Sequence, residues 1–307
     1  MTLPLIFLGT TNLDIVFYSG LLPRTGQSLM GKIEEFGGGK GANQAIAAAR
    51  LGANPKFATL LGDDESGRML TSMLEGFGVQ SDKICMLATQ KTGRALIFVG
   101  GDGANMIGID AGANEAFGPE HVANALKGVS DKAVMVVEMG LPVEACRAAF
   151  RQKGQRFLIF NPAPVRAQLS DEDYAAIDIL TPNNSEAEEL SGVKVTTIPE
   201  AMHAAKRLVE RGTRGVAITM GEQGAVYLDA DRQIHQPAFP VAAVDTTAAG
   251  DAFNGGLAAA IARGMVIDDA LRFGVAVASL SVTRKGAQQS MPTHNQVESF
   301  LAEQGVH

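Results

Sequence analysis

Cysteines, basic clusters and long apolar runs are all scarce in this 307-residue chain. Only two cysteines occur, Cys85 and Cys146. Two isolated thiols make neither a disulfide framework nor a zinc motif, and both read as buried or half-buried groups in a reducing compartment. No long run of lysine or arginine appears, and the formal net charge is −7, which argues against a nucleic-acid surface. The opening MTLPLIFLGT has no basic residue ahead of its apolar stretch. That stretch is too short for a signal peptide or a membrane span, so it reads as a first strand. The expectation is a cytoplasmic protein with no membrane or nucleic-acid partner. Low-complexity linkers and long internal repeats are missing too. Hydrophobic residues make up 46% of the chain and charged residues 19%, the composition of a globular protein able to bury a large core.

What is present is an alternation. PLIFLG, PKFATLLG, AVMVVE, RFLIFN, IDILTPN and GVAITMG are short, nearly continuous apolar runs ending in turn residues, the pattern of strands buried on both faces. Between them KGANQAIAAARLG, GRMLTSMLEGFG, VEACRAAFRQKG and EAMHAAKRLVERG carry helical periodicity closed by glycine. The alternation predicts an α/β fold, a mostly parallel central sheet with helices on both faces. Two segments interrupt it. LDIVFYSGLLPRTGQSLMGKIEEF and GRALIFVGGDGANMIGID read as extended pairs without helices. They predict a small β-rich lid, about 13–36 and 94–110, inserted into one domain spanning 1–307. Met30 and Met106 within it read as core filler.

Polar residues gather at strand ends, where ligands bind in open α/β sheets. Asn12 and Asp14 follow the first strand; taken alone, the segment is better explained by an Asx turn. Glu138 finishes AVMVVE, where turn chemistry explains a carboxylate less easily. FGGGKGANQA opens a helix but is no Walker A loop, because Lys40 precedes Gly41 rather than Ser or Thr. Its spacing also fails the dinucleotide fingerprint. Either it is a flexible turn, or bare backbone at Gly38 and Gly39 lies against a polar ligand with Lys40 and Asn43 beside it. Asn183 and Glu186 in TPNNSEAEEL suit a helix cap; the same geometry suits a metal–phosphate group. Thr219, Gly221 and Gly224 read as a tight hairpin or as the edge along which a nucleotide lies.

VDTTAAGDAFNGGLAAAI, Val244 to Ile261, combines small residues with an acid at a helix start. Phe253, Leu257, Ala260 and Ile261 recur at helical spacing, so the helix begins near Gly250. Its first N–H groups are unpaired and carry the positive end of the helix dipole. Ala248, Ala249 and Gly250 add no bulk, so an anion can reach them. Asp251 in that first turn either caps the helix or takes a proton from a substrate hydroxyl.

Together with GGKGANQA, GDDESG, ALIFV, IGIDAGAN, NPAP, TPNNSEAE and VTRKGAQQSMP, in order along essentially the whole chain, this stretch resembles the ribokinase-like (PfkB) family of carbohydrate kinases, and its ribokinase members most. The family usually has G-A-G-D before its catalytic acid; Ala248-Ala249-Gly250-Asp251 keeps the backbone N–H groups. The resemblance implies ATP-dependent phosphorylation of a pentose, ribose to ribose 5-phosphate. Asp251 would be the general base, and the amides of Ala248 to Gly250 would stabilise the phosphoryl group. Asn12, Asp14, Gly38, Gly39, Lys40, Asn43 and Glu138 would bind the sugar. Asn183 and Glu186 would organise magnesium and phosphate, and Thr219, Gly221 and Gly224 would line the nucleotide. Asp245, Thr247, Ser281, Arg284, Gly286 and Ser290 would hold an activating potassium ion. A homodimer through the lid strands is implied as well. Val275 stands where family members carry Asn near the adenine. The alternatives are a kinase for 2-deoxyribose, another sugar or a nucleoside, and a sugar-binding regulator that has lost catalysis.

Overall fold

The structure, a computed structural model, describes residues 2–305; the two ends of the expected 1–307 span lie outside the described residues. The chain opens in strand β1 (Leu5–Leu8), all four residues of which are buried. Successive side chains point to opposite faces of a strand, and β1 divides accordingly. Ile6 and Leu8 join one apolar core, Leu5 and Phe7 the other.

Around β1 a nine-stranded sheet forms. On one side lie β4 (Lys56–Gly62) and β5 (Ile84–Leu87); on the other lie β8 (Val134–Glu138), β9 (Phe157–Asn161), β10 (Ile179–Leu180) and β11 (Gly215–Thr219). All these pair in parallel. Two antiparallel strands, β12 (Ala225–Asp229) and β13 (Gln233–Gln236), extend the far edge. The mostly parallel sheet is therefore as expected, with β5 and β13 as additions.

Helices α1 (Lys40–Arg50), α8 (Ala249–Ala262), α9 (Ile267–Ser281) and α10 (His294–Glu303) feed the core that holds Leu5 and Phe7. On the opposite face lie α3 (Pro119–Leu126), α4 (Val143–Gln152), α5 (Asp171–Ala175), α6 (Asn184–Ser191) and α7 (Ile198–Glu210). Helix α2 (Glu65–Gly76) places Leu70 with Leu13 and Leu61 in a small third cluster. Among the described residues no helix is long and apolar enough to cross a membrane.

A second, four-stranded sheet has the order β3-β2-β6-β7 and is the β lid. It comprises β2 (Asn12–Tyr18), β3 (Lys32–Gly38), β6 (Gly93–Val99) and β7 (Asn105–Asp110). Leu13, Val16 and Ala95 are buried, whereas Ile33, Leu96, Met106, Ile107 and Ile109 are exposed. Two readings are corrected here. Met30, in the loop before β3, is 95% exposed, and Met106, on the wholly exposed strand β7, is 53% exposed, so neither fills a core. Cys85 is exposed, on edge strand β5, and only Cys146 is buried.

Candidate active site

Asp251 lies in the first turn of α8, only 6% exposed. Its Oδ2 accepts from Asn43 Nδ2 at 2.9 Å and its Oδ1 from Gln44 Nε2 at 3.1 Å. Burial pushes the carboxyl up; the Lys40 ammonium and the two amide hydrogen bonds partly offset that. Lys40, the first residue of α1, is pushed up chiefly by Asp251, with Glu138 and Glu186 assisting against its burial. A carboxylate whose basicity is raised and whose two oxygens are each held by a neutral amide is fit to accept a proton from a hydroxyl.

The turn leading into α8 is backbone-built. Ala248 is its N-cap, at φ 60° and ψ 17°. A residue with a Cβ costs about 1–2 kcal/mol in this left-handed region, and such strain clusters at functional sites. The expected trio of amides is modified: Ala249 N–H donates to Thr246 O at 3.2 Å. Ala248, Gly250 and Asp251 keep N–H groups without a partner among the described residues. They sit at the positive end of a 14-residue helix, a site for an anion.

A cavity of about 940 Å³ opens onto this turn. Lys40, Asn183, Glu186, Thr219, Gly221 and Gly224 line it together with Ala248, Ala249, Gly250 and Asp251. Its remaining wall is largely apolar and includes Phe239, Val241, Val275 and Val282. Val275 thus stands inside the cavity as an apolar contact. Asn183 and Glu186 form the capping box that their spacing suggested. Asn183 Oδ1 accepts from Glu186 N, and Glu186 Oε2 from Asn183 N, each at 2.9 Å. Glu186 Oε1 accepts nothing among the described residues, and burial raises the carboxyl. Gly224, at φ 90°, packs so tightly that a Cβ would lie 2.1 Å from Gln236 O.

Asn12, Asp14, Gly38, Gly39, Asn43 and Glu138 do not line that cavity. They gather where β1, β3 and β8 end and β2 and α1 begin. Gly39, at φ 92°, caps α1, and a Cβ there would sit 2.6 Å from Thr10 O. Gly38 lies over Asp14; its Cβ would be 2.1 Å from Oδ2. Burial raises Asp14 from 3.8 to about 6. Glu138, 1% exposed, accepts from the backbone of Thr10 and Gly140, tying β1 to β8, and burial raises it too.

Asp245 and the segment after α9 meet as adjacent loops. Val244 and Asp245 both donate to Val282 O, at 2.7 and 3.1 Å. Asp245 accepts from Thr247 N and Gly286 N, each at 2.9 Å. Burial pushes its carboxyl up, but these bonds outweigh that and lower it. The carbonyls of Asp245, Thr247, Arg284 and Gly286 accept nothing among the described residues. Ser281 and Ser290 are different: each hydroxyl donates within its own turn, to Ala278 O and Ala287 O. No group of three His, Cys, Asp or Glu side chains suited to a metal occurs among the described residues.

Several amide side chains were not singled out from sequence. Gln44 and Gln288 are 0% and 1% exposed; Gln288 Nε2 donates to Asn43 Oδ1 at 3.2 Å. Asn114 donates to Asn12 Oδ1 at 2.9 Å and accepts from Thr11 N at 3.0 Å. Asn114 ends the IGIDAGAN motif, and Gln44 breaks an otherwise small and apolar helix face; both are signals in the sequence.

A pfkB family carbohydrate kinase model matches residues 4–294. The chain is 36% identical to a ribokinase of Haemophilus influenzae over 97% of this chain and 98% of that protein. It is 34% identical to a deoxyribokinase of Salmonella typhi over 96% and 97%. Its fold superposes on that of Arabidopsis thaliana ribokinase, solved with ribose and ATP, with a TM-score of 0.87, 30% identity and coverage of 98% and 99%. With its cavity, its buried acid and its helix-start amides arranged on this fold, the chain belongs to the pfkB family of carbohydrate kinases.

Proposed function

We propose that the protein transfers the γ-phosphoryl group of ATP to the primary hydroxyl of a pentose, converting ribose to ribose 5-phosphate. One observation carries this reading: Asp251 is buried at the mouth of an anion-accepting helix start, with a nucleotide-sized cavity on one side. Asp251 takes the hydroxyl proton; the sugar oxygen bonds to the γ-phosphorus as its bond to the bridging oxygen of ADP breaks. Unpaired N–H groups of Ala248, Gly250 and Asp251 meet the charge on the phosphoryl oxygens. Such preorganised donors need no rearrangement as charge develops. Asn12, Asp14, Gly38, Gly39, Lys40, Asn43 and Glu138 hold the sugar. Thr219, Gly221 and Gly224 border the nucleotide.

Magnesium, carried with the nucleotide, would neutralise phosphate charge. Glu186 fits it: a hard oxygen donor with one free oxygen, steadied by Asn183. Magnesium is commonly held by one or two carboxylates plus phosphates rather than by a protein cage. Potassium fits between the loops around Asp245 and Gly286, where four carbonyls are unused; Ser281 and Ser290 shape that loop through their own turns. The exposed apolar side chains of the lid support a homodimer through its strands, which sedimentation would report as twice the chain mass.

The test is ADP release across pentoses, hexoses and nucleosides, with the product identified by phosphorus NMR. Ribose 5-phosphate as the product of highest kcat/KM is expected. A site that bonds the 2-hydroxyl penalises its loss; equal efficiency on 2-deoxyribose would make the protein a deoxyribokinase, and no turnover of any sugar would end the kinase reading.

A further inference from the structure

Helix α1 buries every residue from Gly41 to Ala48, and all but Asn43 and Gln44 are glycine or apolar. Asn43 has an evident task. Gln44 is odder: it is wholly buried, does not line the cavity, and leaves its Oε1 without a hydrogen-bond partner. A buried unpaired acceptor costs about 1–3 kcal/mol, and a leucine or methionine would fill the same space without it.

The amide nitrogen accounts for the residue. Gln44 Nε2 donates to Asp251 Oδ1 at 3.1 Å and to Asn161 Oδ1 at 3.1 Å. An amide nitrogen has two hydrogens, so both are spent and none remains for a ligand. Asn43 differs, because its Nδ2 donates to Asp251 alone among the described residues, which leaves its second hydrogen free.

Beyond Gln44 the bonds continue. Asn161 Nδ2 donates to Thr181 O at 2.8 Å, Thr181 Oγ donates to Asn254 Oδ1 at 2.6 Å, and Asn254 Nδ2 donates to Gly250 O at 2.9 Å. A ring of buried amides therefore leaves the first turn of α8 at the Asp251 carboxylate and returns to it at Gly250, passing through the ends of β9 and β10. It ties the acid and the anion-accepting backbone to one frame.

We propose that Gln44 is a positioning residue: it fixes the rotation of the Asp251 carboxylate relative to the helix-start amides, without touching sugar or nucleotide. This rests on Asp251 being the base. A carboxylate free to swing would present its oxygens at varying distance from the hydroxyl, and small misplacements at a reacting centre are expensive. The charged groups nearby are the Lys40 ammonium on α1, which faces Asp251, Glu138 at the end of β8 and Glu186 on α6, and Glu186, which also feels Asp251. Among the described residues only Gln44 and Asn43 bond it directly.

The experiment is a double-mutant cycle with ATP and ribose. Gln44→Leu should lower kcat by about 10- to 100-fold and change the ribose KM by less than about threefold. In an Asp251→Asn background the same substitution should change kcat by less than about twofold. An equal loss in both backgrounds would make the role merely structural and overturn the proposal, as would near-normal kcat in the single variant. Carbon NMR of the Asp251 carboxyl reads the contact without turnover: its titration should move to higher pH in Gln44→Leu, and an unmoved titration overturns the proposal. Should the leucine variant fail to fold, Gln44→Glu keeps the shape and puts a second carboxylate beside the first; the acid limb of kcat should then shift upward, and an unshifted limb counts against the proposal. Failure of the kinase reading is separate: the wild-type chain would turn over no sugar, whatever the NMR titration does.

Discussion

Strands β8 and β7 mark the extremes of the two sheets. All five residues of β8 are buried, and all six of β7 are exposed. The large sheet is covered by helices on both faces, so the ends of its strands are fixed points. The lid sheet shows Ile33, Leu96, Ile107 and Ile109 to solvent and meets the main body through Leu13 and its neighbours. The difference divides the labour. Groups assigned to phosphoryl transfer, Asp251 and the backbone before it, stand on a helix buried against the large sheet. Asp14 and Gly38, assigned to the sugar, stand on lid strands. On that assignment the chemistry stands on the buried body and the substrate contacts on the lid, the arrangement expected if the lid is to exclude water from a reaction centre.

The largest effect belongs to the rigid side. Asp251→Asn should lower kcat by about 100- to 10,000-fold, with ADP release as the readout. Near-normal turnover would remove the base from the core and erase the division.

On the lid side, Gly38→Ala should lower kcat/KM for ribose by about 10- to 100-fold while leaving the KM for ATP nearly unchanged. The new methyl would collide with Asp14. A matching loss of ATP affinity, measured in the same kinetics, would mean that the two regions are not separable.

A smaller effect is expected from the loops beside the helix start. At matched ionic strength and fixed magnesium, turnover should be severalfold higher in potassium than in sodium or lithium, and Asp245→Ala should remove most of that response. Matched ionic strength separates a bound ion from screening. Equal rates in the three salts would leave the loop a structural brace only.

The smallest concerns stability. Burial raises Asp14 from 3.8 to about 6, so the native state holds a proton more tightly than the unfolded chain does. That contribution is full below pH 3.8 and is lost as pH rises through about 6. Asp14→Asn, which carries no charge to desolvate, should therefore have a Tm a few degrees above wild type at pH 8. The gap should close as pH falls through about 6 toward 3.8. A constant gap, measured by thermal melts across pH, would mean that the Asp14 carboxyl is not desolvated.

The large sheet was legible because its strands are apolar on both faces and its helices periodic; that signal is local. The helix starts that carry Asp251, Asn183 and Glu186 were legible for the same reason, being marked by small residues or capping spacing within a few positions. Gln44, Asn161 and Gln288 were not. Gln44 shows locally as a polar break in a small, apolar helix face, but the partners that give it a task, Asn161 and Asp251, lie 117 and 207 residues away, and Gln288 reaches Asn43 across 245. Ala249 illustrates a finer limit: whether a helix-start N–H is free depends on the preceding turn, here closed by Thr246. The exposure of Met30 and Met106 was hidden because composition does not tell which loop or strand is left uncovered.

The division between fixed chemistry and lid-borne substrate grip is tested most directly by calorimetric titration of ribose into Asp251→Asn, with turnover measured on the same preparation. Ribose affinity within about tenfold of wild type, beside a turnover loss of at least about 100-fold, is the predicted result. Loss of ribose binding in proportion to turnover, or turnover that survives the substitution, would contradict it.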